Sequence, residues 1–364
     1  MPMNPEPIYT LALTYVSGLG PVNQKKILKH SDPKSFWALS KSELKEIFTT
    51  RHDLISQFLS SECLEKAGKE IEFCKQNDIE ILLYSSEGYP EKMKNCVDSP
   101  LVLFKKGNHD FNKKLHIGIV GTRKMTLYGK RFIENLLKEI STQQMSIVSG
   151  LAYGCDIEAH RLAIESQIPN VAVLAHGLNR ISPSAHKKEA IELQKNGALL
   201  TEYSSFHNAE PINFVLRNRI IAGLCDAVIV VESDKKGGAL ATANYANSYN
   251  REVFAVPGRI DDRFSLGCNE LIQSNQAYMI RNADDLLNYF NLKKQSKPAQ
   301  RQLFVELENE EKPIYDFLKQ NGKQQIDSLY NSLQIPVFKL NGILLNMEIK
   351  GVIRPLPGKF FEIN

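Results

Sequence analysis

Between residues 78 and 290, short apolar runs rich in β-branched residues alternate with helical stretches, and no other feature constrains the fold so tightly. Parallel strands need long crossovers, so a β-then-α alternation implies a parallel sheet buried on both faces by helices. The strand candidates are Leu115–Val120, Ser146–Ser149, Val171–Ala175, Ala198–Thr201, Ala227–Val231, Val253–Val256 and Tyr278–Ile280. Ile79–Leu83 and Leu101–Phe104 extend the sheet ahead of the first glycine loop. The expected fold class is α/β, a Rossmann-like doubly wound parallel sheet over residues 76–290.

A chain of 364 residues exceeds what one hydrophobic core usually organises. Residues 1–75 read as short helices, with Ser17-Gly18-Leu19-Gly20-Pro21 as a tight turn before Val22–Lys29. This pattern resembles a SAM-like or helix-hairpin-helix element, whose helix start turns backbone N–H groups toward phosphate; a small helical packing domain fits it equally well. Residues 291–300 (NLKKQSKPAQ) are polar and carry Pro298, the composition of a linker. Beyond it, Pro313–Gln320, Ile326–Leu333 and Val337–Lys350 read as helices, and Val352–Ile363 as a hairpin turning at Pro357-Gly358. Three helices and a hairpin make a winged-helix domain over 301–364. Its third helix carries Lys339 among mostly apolar and neutral residues, which fits protein contact or packing better than reading of the major groove.

The strand ends carry the chemistry. After the strand Leu115–Val120 come Gly121, Thr122, Arg123 and Thr126, where a loop and a helix start present N–H groups to an anion. Arg123 is the bidentate phosphate clamp, and Thr122 and Thr126 are hydroxyl donors. The spacing is GxxGxR rather than GxGxxG, and the next strand ends in Ser149-Gly150 instead of a ribose-binding acid, so a dinucleotide site fits poorly. Gly150 faces the same carboxyl-edge crevice. Asp156 and His160, one helical turn apart, read as a helix-start residue and a packed partner rather than an acid–base pair. On the segment Phe214–Ile221, Arg217 and Arg219 point in different directions, so at most one joins Arg123; the expectation is Arg219, with Asn218. Gly237 and Gly238 open a further helix where a phosphate can approach the backbone.

Composition narrows the partners. The formal net charge is only +4, so a polyanion must be met by a local patch. The six cysteines include no CxxC pair and read as reduced and structural. The first sixteen residues lack a signal-peptide pattern, and Asp226 breaks the longest apolar stretch, around Ile220–Val231. A cytoplasmic protein without membrane contact is expected, with no metal cluster and no cofactor.

Together the segments GTRKMTLYG, SGLAYGCDIEAH, TEY, FVLRNRIIAGLCDAVIVVES, GGALATA, REVFAVPG and GCNELI resemble the DprA/Smf family (DNA processing protein A) from about Tyr89 to Met279. The resemblance implies sequence-independent binding and protection of single-stranded DNA, homodimerisation through the Rossmann-like domain, and loading of a RecA-type recombinase in natural transformation. It carries the family's phosphate loop onto Gly121, Thr122 and Arg123, and its Arg-Asn-Arg helix onto Arg217, Asn218 and Arg219. Val215 stands where the family often has Pro, and Ala239 where it commonly has Ser. The alternative is a nucleotide phosphoribohydrolase or nucleotide-sensing protein of the related lysine-decarboxylase-like fold. Its hydrolases use a PGGxGTxxE motif, whereas here no Glu or Asp stands within 237–250.

Overall fold

The computed structural model describes residues 6–207, 210–292 and 307–363, and these fall into two compact units, Met1–Gln295 and Ser296–Asn364. The linker expected at 291–300 lies, from residue 293 onward, outside the described residues.

The first unit is organised by a nine-stranded sheet in the order β1-β2-β6-β5-β4-β3-β7-β8-β9. The strands are β1 (Glu80–Leu83), β2 (Val102–Gly107), β3 (Leu115–Val120), β4 (Met145–Ser149), β5 (Asn170–Val173), β6 (Gly197–Thr201), β7 (Ala227–Val230), β8 (Glu252–Ala255) and β9 (Tyr278–Met279). From β6 to β9 every neighbouring pair is parallel. The β1–β2 and β2–β6 pairs are antiparallel. The sheet is therefore the mainly parallel, Rossmann-like arrangement that the alternation implies.

Six helices precede it: α1 (Glu6–Thr14), α2 (Pro21–His30), α3 (Pro33–Trp37), α4 (Lys41–Phe48), α5 (His52–Leu59) and α6 (Glu62–Gln76). Their starts are written locally, with Pro21 and Pro33 in first turns and a reciprocal Ser40/Glu43 capping box on α4. They do not enclose a core of their own, since Leu83, Leu101, Val102 and Phe104 of the antiparallel extension belong to the same apolar cluster as Leu11, Phe36 and Phe58. The remaining helices are α7 (Glu91–Lys94), α8 (Leu127–Ile140), α9 (Cys155–Glu165), α10 (Lys187–Leu193), α11 (Pro211–Leu224), α12 (Gly238–Ser248), α13 (Leu266–Gln273) and α14 (Ala283–Tyr289).

Strand periodicity decides which helices cover which face. Ile117 and Ile119 of β3, with Ile147 and Ile229 beside them, pack against Ile133, Leu136 and Leu137 of α8. One residue out of step, Val120, Val148, Val228 and Val230 face Ile220 and Ile221 of α11 and Ala243 and Ala246 of α12. Ile119 is fully buried, and truncating such a side chain to Ala costs about 2–5 kcal/mol. The strands must be apolar on both faces, so they read as continuous runs rather than as alternation.

The second unit holds α15 (Lys312–Asn321), β10 (Gln324–Gln325), α16 (Ile326–Leu333), α17 (Val337–Ile349), β11 (Ile353–Leu356) and β12 (Phe360–Ile363). Its strands form an antiparallel sheet in the order β10-β12-β11. Gly358 takes φ +84° in the β11–β12 turn, where a side chain would be strained. Ile314, Leu318, Leu329, Leu340, Leu344 and Met347 make its core. All six cysteines of the chain are free and buried. No helix among the described residues is long and apolar enough to cross a membrane.

Candidate functional site

The chain leaves β3 toward β4 on one side and returns through α11 to β7 on the other, so the strand order reverses between β3 and β7. Ligands of open α/β sheets bind beyond the carboxyl ends of strands at such a reversal. A crevice of about 280 Å³ opens there. That is near the lower limit of ~300 Å³ for small-molecule pockets, room for a phosphate with part of its nucleoside rather than for a dinucleotide.

Four strand-to-helix connections build it. β3 supplies Val120, Gly121, Thr122 and Arg123, the β4–α9 turn supplies Ala152 and Asp156, α11 supplies Phe214, Arg217 and Asn218, and the β7–α12 connection supplies Ser233, Asp234, Gly237 and Gly238. The loops interlock at glycine. A Cβ on Gly121 would meet Cys155 Sγ at 2.4 Å, and one on Gly154, at φ +76°, would meet the Thr122 carbonyl oxygen at 2.2 Å. Thr122 N–H donates to the Glu232 carbonyl at 2.7 Å, which ties the β3 loop to the end of β7.

The mouth of the crevice is rich in donors. Arg123 is exposed, its guanidinium carbon lies 5.9 Å from the Phe214 ring centroid, and no carboxylate among the described residues forms an ion pair with it. Thr122 Oγ1 accepts the Lys124 N–H at 3.1 Å, so its own proton can still be donated. Gly237 precedes α12 without any side-chain cap, and a Cβ on Gly238 would meet nothing within 4 Å. The first turn of α12 thus offers bare N–H groups and the positive end of its dipole to an anion. Asn218 Nδ2 donates to the Gly238 carbonyl at 3.3 Å and holds α11 against that turn. Lys124, Lys235 and Lys236 are exposed on the same loops, a local cationic patch on a nearly neutral chain.

The floor holds two buried charged residues, Arg217 and Asp156, and here the expectation for the helix arginines fails. Arg217, not Arg219, turns inward. Its Nη1 donates to the carbonyl of Gly150 at 2.6 Å and to that of Val173, bracing the carboxyl ends of β4 and β5. Burial pulls the Arg217 guanidinium below its ordinary range, and the Asp156 carboxylate opposes that pull. Burial pushes the Asp156 carboxyl up, countered by Arg217 and by hydrogen bonds from Ala152, Ser149 and Gly150.

The crevice therefore gathers Gly121, Thr122, Arg123, Asn218, Gly237 and Gly238, while three other expected residues serve different ends. Arg219 lies about 200° around α11 from Arg217 and is buried against Glu202 and the carbonyl of Asp98, the latter at 2.8 Å. Thr126 donates its N–H to Glu232 Oε2 at 2.9 Å and its hydroxyl to Oε1, so both groups are spent on the protein's own carboxylate. Gly150 makes room for the Arg217 guanidinium, which a Cβ there would meet at 2.2 Å. Arg217 was named by the family resemblance but set aside in favour of Arg219, and Glu232 was missed, with no signal beyond its place after a strand. His160 sits in the core with Nδ1 2.8 Å from Asn170 Oδ1, and burial brings its ring down to about 4. No group of three or more His, Cys, Asp or Glu residues able to hold a metal occurs among the described residues.

Residues 80–291 match the family model of DNA recombination-mediator protein A, a span that exceeds half the chain and contains every residue lining the crevice. The chain belongs to this family. Relatives of DNA recombination-mediator protein A include Protein Smf of Synechocystis sp., 33% identical over 289 residues, which cover 78% of this chain and 72% of that protein. DNA processing protein DprA of Bacillus subtilis is 39% identical over 213 residues, 58% of this chain and 71% of that one. Among solved structures, DNA processing protein A (DprA) from Streptococcus pneumoniae is similar with a TM-score of 0.66 at 30% identity, covering 77% of this chain and 96% of that one. DNA processing protein A from Helicobacter pylori, a structure concerned with that protein's single-stranded DNA binding mode, gives a TM-score of 0.53 at 29% identity over 58% of this chain and 95% of that one.

Proposed function

We propose that this protein binds single-stranded DNA without base specificity, its phosphates seated where the β3 loop meets the start of α12. The observation that carries the reading is Arg123, exposed and free of any carboxylate partner among the described residues, beside an uncapped helix start. Contacts from backbone N–H groups and arginine to phosphate carry no base information, and Phe214 offers an aromatic ring on which a neighbouring base can stack. The site residues are Gly121, Thr122, Arg123, Asn218, Gly237 and Gly238, with Arg217 and Asp156 as the floor that positions them. The single-strand binding of the Helicobacter pylori relative supports the reading.

Family membership supports the rest: a cytoplasmic homodimer joined through the Rossmann-like domain, protecting incoming strands and handing them to a RecA-type recombinase in natural transformation. The tail's three helices and hairpin support a winged-helix domain over 301–364, and the Ser17–Pro21 turn into α2 supports a SAM- or helix-hairpin-helix-like segment over 1–75. No catalytic role is assigned, because Asp156 is spent on the floor and Asp234, the other acid lining the crevice, is paired with Arg263.

An anisotropy titration with single-stranded oligonucleotides, duplex competitor and a salt series tests this, with a nucleotide-hydrolysis assay beside it. Expected are a preference for single strands, little sequence dependence, and a log–log salt slope of roughly −0.7 per contacted phosphate. Duplex binding as tight as single-strand binding, or nucleotide turnover, would replace the reading.

A further inference from the structure

The outer face of α17 carries a stripe that neither the fold nor the crevice uses. Phe338, Leu345 and Ile349 are 80%, 56% and 76% exposed, while Leu340, Ile343, Leu344 and Met347 on the opposite face fill the core of the second unit. Large apolar side chains aligned on one helix face mark an interaction surface. With Gly342 they follow the steps i, i+4, i+7 and i+11, the 4-3-4 spacing of the seam through which one helix pairs with another. Gly342 costs a helix interior about 1 kcal/mol relative to Ala, and a Cβ there would meet nothing within 4 Å. A mid-helix glycine with open space above it lets a neighbouring side chain come close.

The stripe is complementary to itself. In an antiparallel pair of α17 helices with a twofold axis between positions 343 and 344, Phe338 meets Ile349 of the other copy, and Gly342 meets Leu345. Each layer sets a large residue against a smaller one, and both layers recur by symmetry, as an isologous contact requires. On the flanks Lys339 falls beside Asn346 and Asn341 beside Glu348, so no like charges are opposed. The helix cations are already paired within the unit, Lys339 with Glu310 at 3.1 Å and Lys350 with Glu311 at 2.8 Å, which removes the free positive charge that a phosphate backbone would need. We infer that α17 is a self-association surface through which the tails of two copies of this chain pair antiparallel. The contact is separate from the crevice and from any dimer made by the Rossmann-like domain, so a chain using both surfaces would assemble beyond a dimer.

The test is sedimentation velocity of the full chain over a concentration series, wild type beside Leu345→Asp and Ile349→Asp, with circular dichroism to verify folding. The wild type should show an association step that both variants weaken about 100-fold in dissociation constant, the scale of an anchor at an interface centre. Ile349 lies near the helix end, so its variant keeps the test valid if Leu345→Asp unfolds. In parallel, a mixture of Asn341→Cys and Glu348→Cys chains should give a covalent dimer on mild oxidation in far higher yield than either chain alone, the six native thiols being buried. Unchanged sedimentation in both variants without a mixed disulfide would overturn the inference. So would a loss of duplex-DNA binding in Leu345→Asp with sedimentation unaltered, since the stripe would then serve DNA.

Discussion

The helix starts at Leu127 and at Gly238 follow the same local recipe, a buried strand, a glycine-bearing connection and a helix, and they end in opposite electrostatic states. At α8 the N–H and hydroxyl of Thr126 already hold the Glu232 carboxylate. At α12 the position before the helix is Gly237, and no side chain among the described residues caps it. The first start is closed by an internal anion delivered from the end of β7, and the second stays open. A glycine-bearing helix start therefore marks where an anion can sit, and long-range contacts decide whether the protein has filled that place itself. The arginines divide likewise: Arg217 and Arg219 are consumed as struts, and Arg123 is exposed with no ion-pair partner among the described residues.

The largest effect of a single substitution should come from a strut. Arg219→Ala leaves Glu202 buried without its cation, and breaking a buried pair in this way costs about 3–5 kcal/mol of stability. Denaturant unfolding should show that loss, while strand affinity per folded molecule stays as in the wild type. A variant with normal unfolding and weakened binding would erase the division between struts and ligand arginine.

Acidification is next and should separate stability from binding. Burial lowers the rings of His109, His116 and His160 to about 3, about 4 and about 4, so all three are neutral in the folded protein near neutrality. The unfolded chain takes up protons near the ordinary value of about 6.5, so the contribution of each ring is complete above that pH and is lost as the pH falls toward 4. The slope is at most about 1.4 kcal/mol per pH unit per ring, and urea unfolding at a series of pH values reads it. No histidine lines the crevice, so binding by molecules still folded should not follow this slope.

Arg123→Ala should weaken strand binding by about 1.5–3 kcal/mol, the worth of a charge-assisted hydrogen bond, with an unchanged melting temperature. The mildest expected change sharpens the comparison of helix starts. Gly238→Asp places a carboxylate at α12 in the manner of Glu232 at α8, and should lower strand affinity by about 0.3–1 kcal/mol with a small gain in thermal stability. Equal or tighter binding by this variant would mean that the α12 start meets no phosphate.

The inner parallel strands of the large sheet were legible because they are buried on both faces and must be continuous apolar runs, as in Ile117–Val120 and Ala227–Val230, whereas β9 at the edge is exposed at both of its residues. The glycine connections were legible for a local reason as well, since close approach between loops excludes a Cβ. What sequence could not give was which way α11 faces. Arg217 and Arg219 differ by two positions and just over half a turn, and the choice rests on Glu202, 17 residues away, and Asp98, 121 away. The fate of Thr126 was hidden in the same way, because Glu232 reaches it across 106 residues.

Selective 15N-glycine labelling during titration with a single-stranded oligonucleotide tests the site most directly, because the chain's 21 glycines sample both units and both helix starts. The amides of Gly121, Gly237 and Gly238 should shift on binding, while Gly129, behind the Glu232 carboxylate, and Gly342 and Gly351 in the tail hold their positions. Shifts confined to Gly18 and Gly20 or to the tail glycines, with Gly237 and Gly238 unmoved, would place the strand elsewhere and contradict the crevice as its binding site.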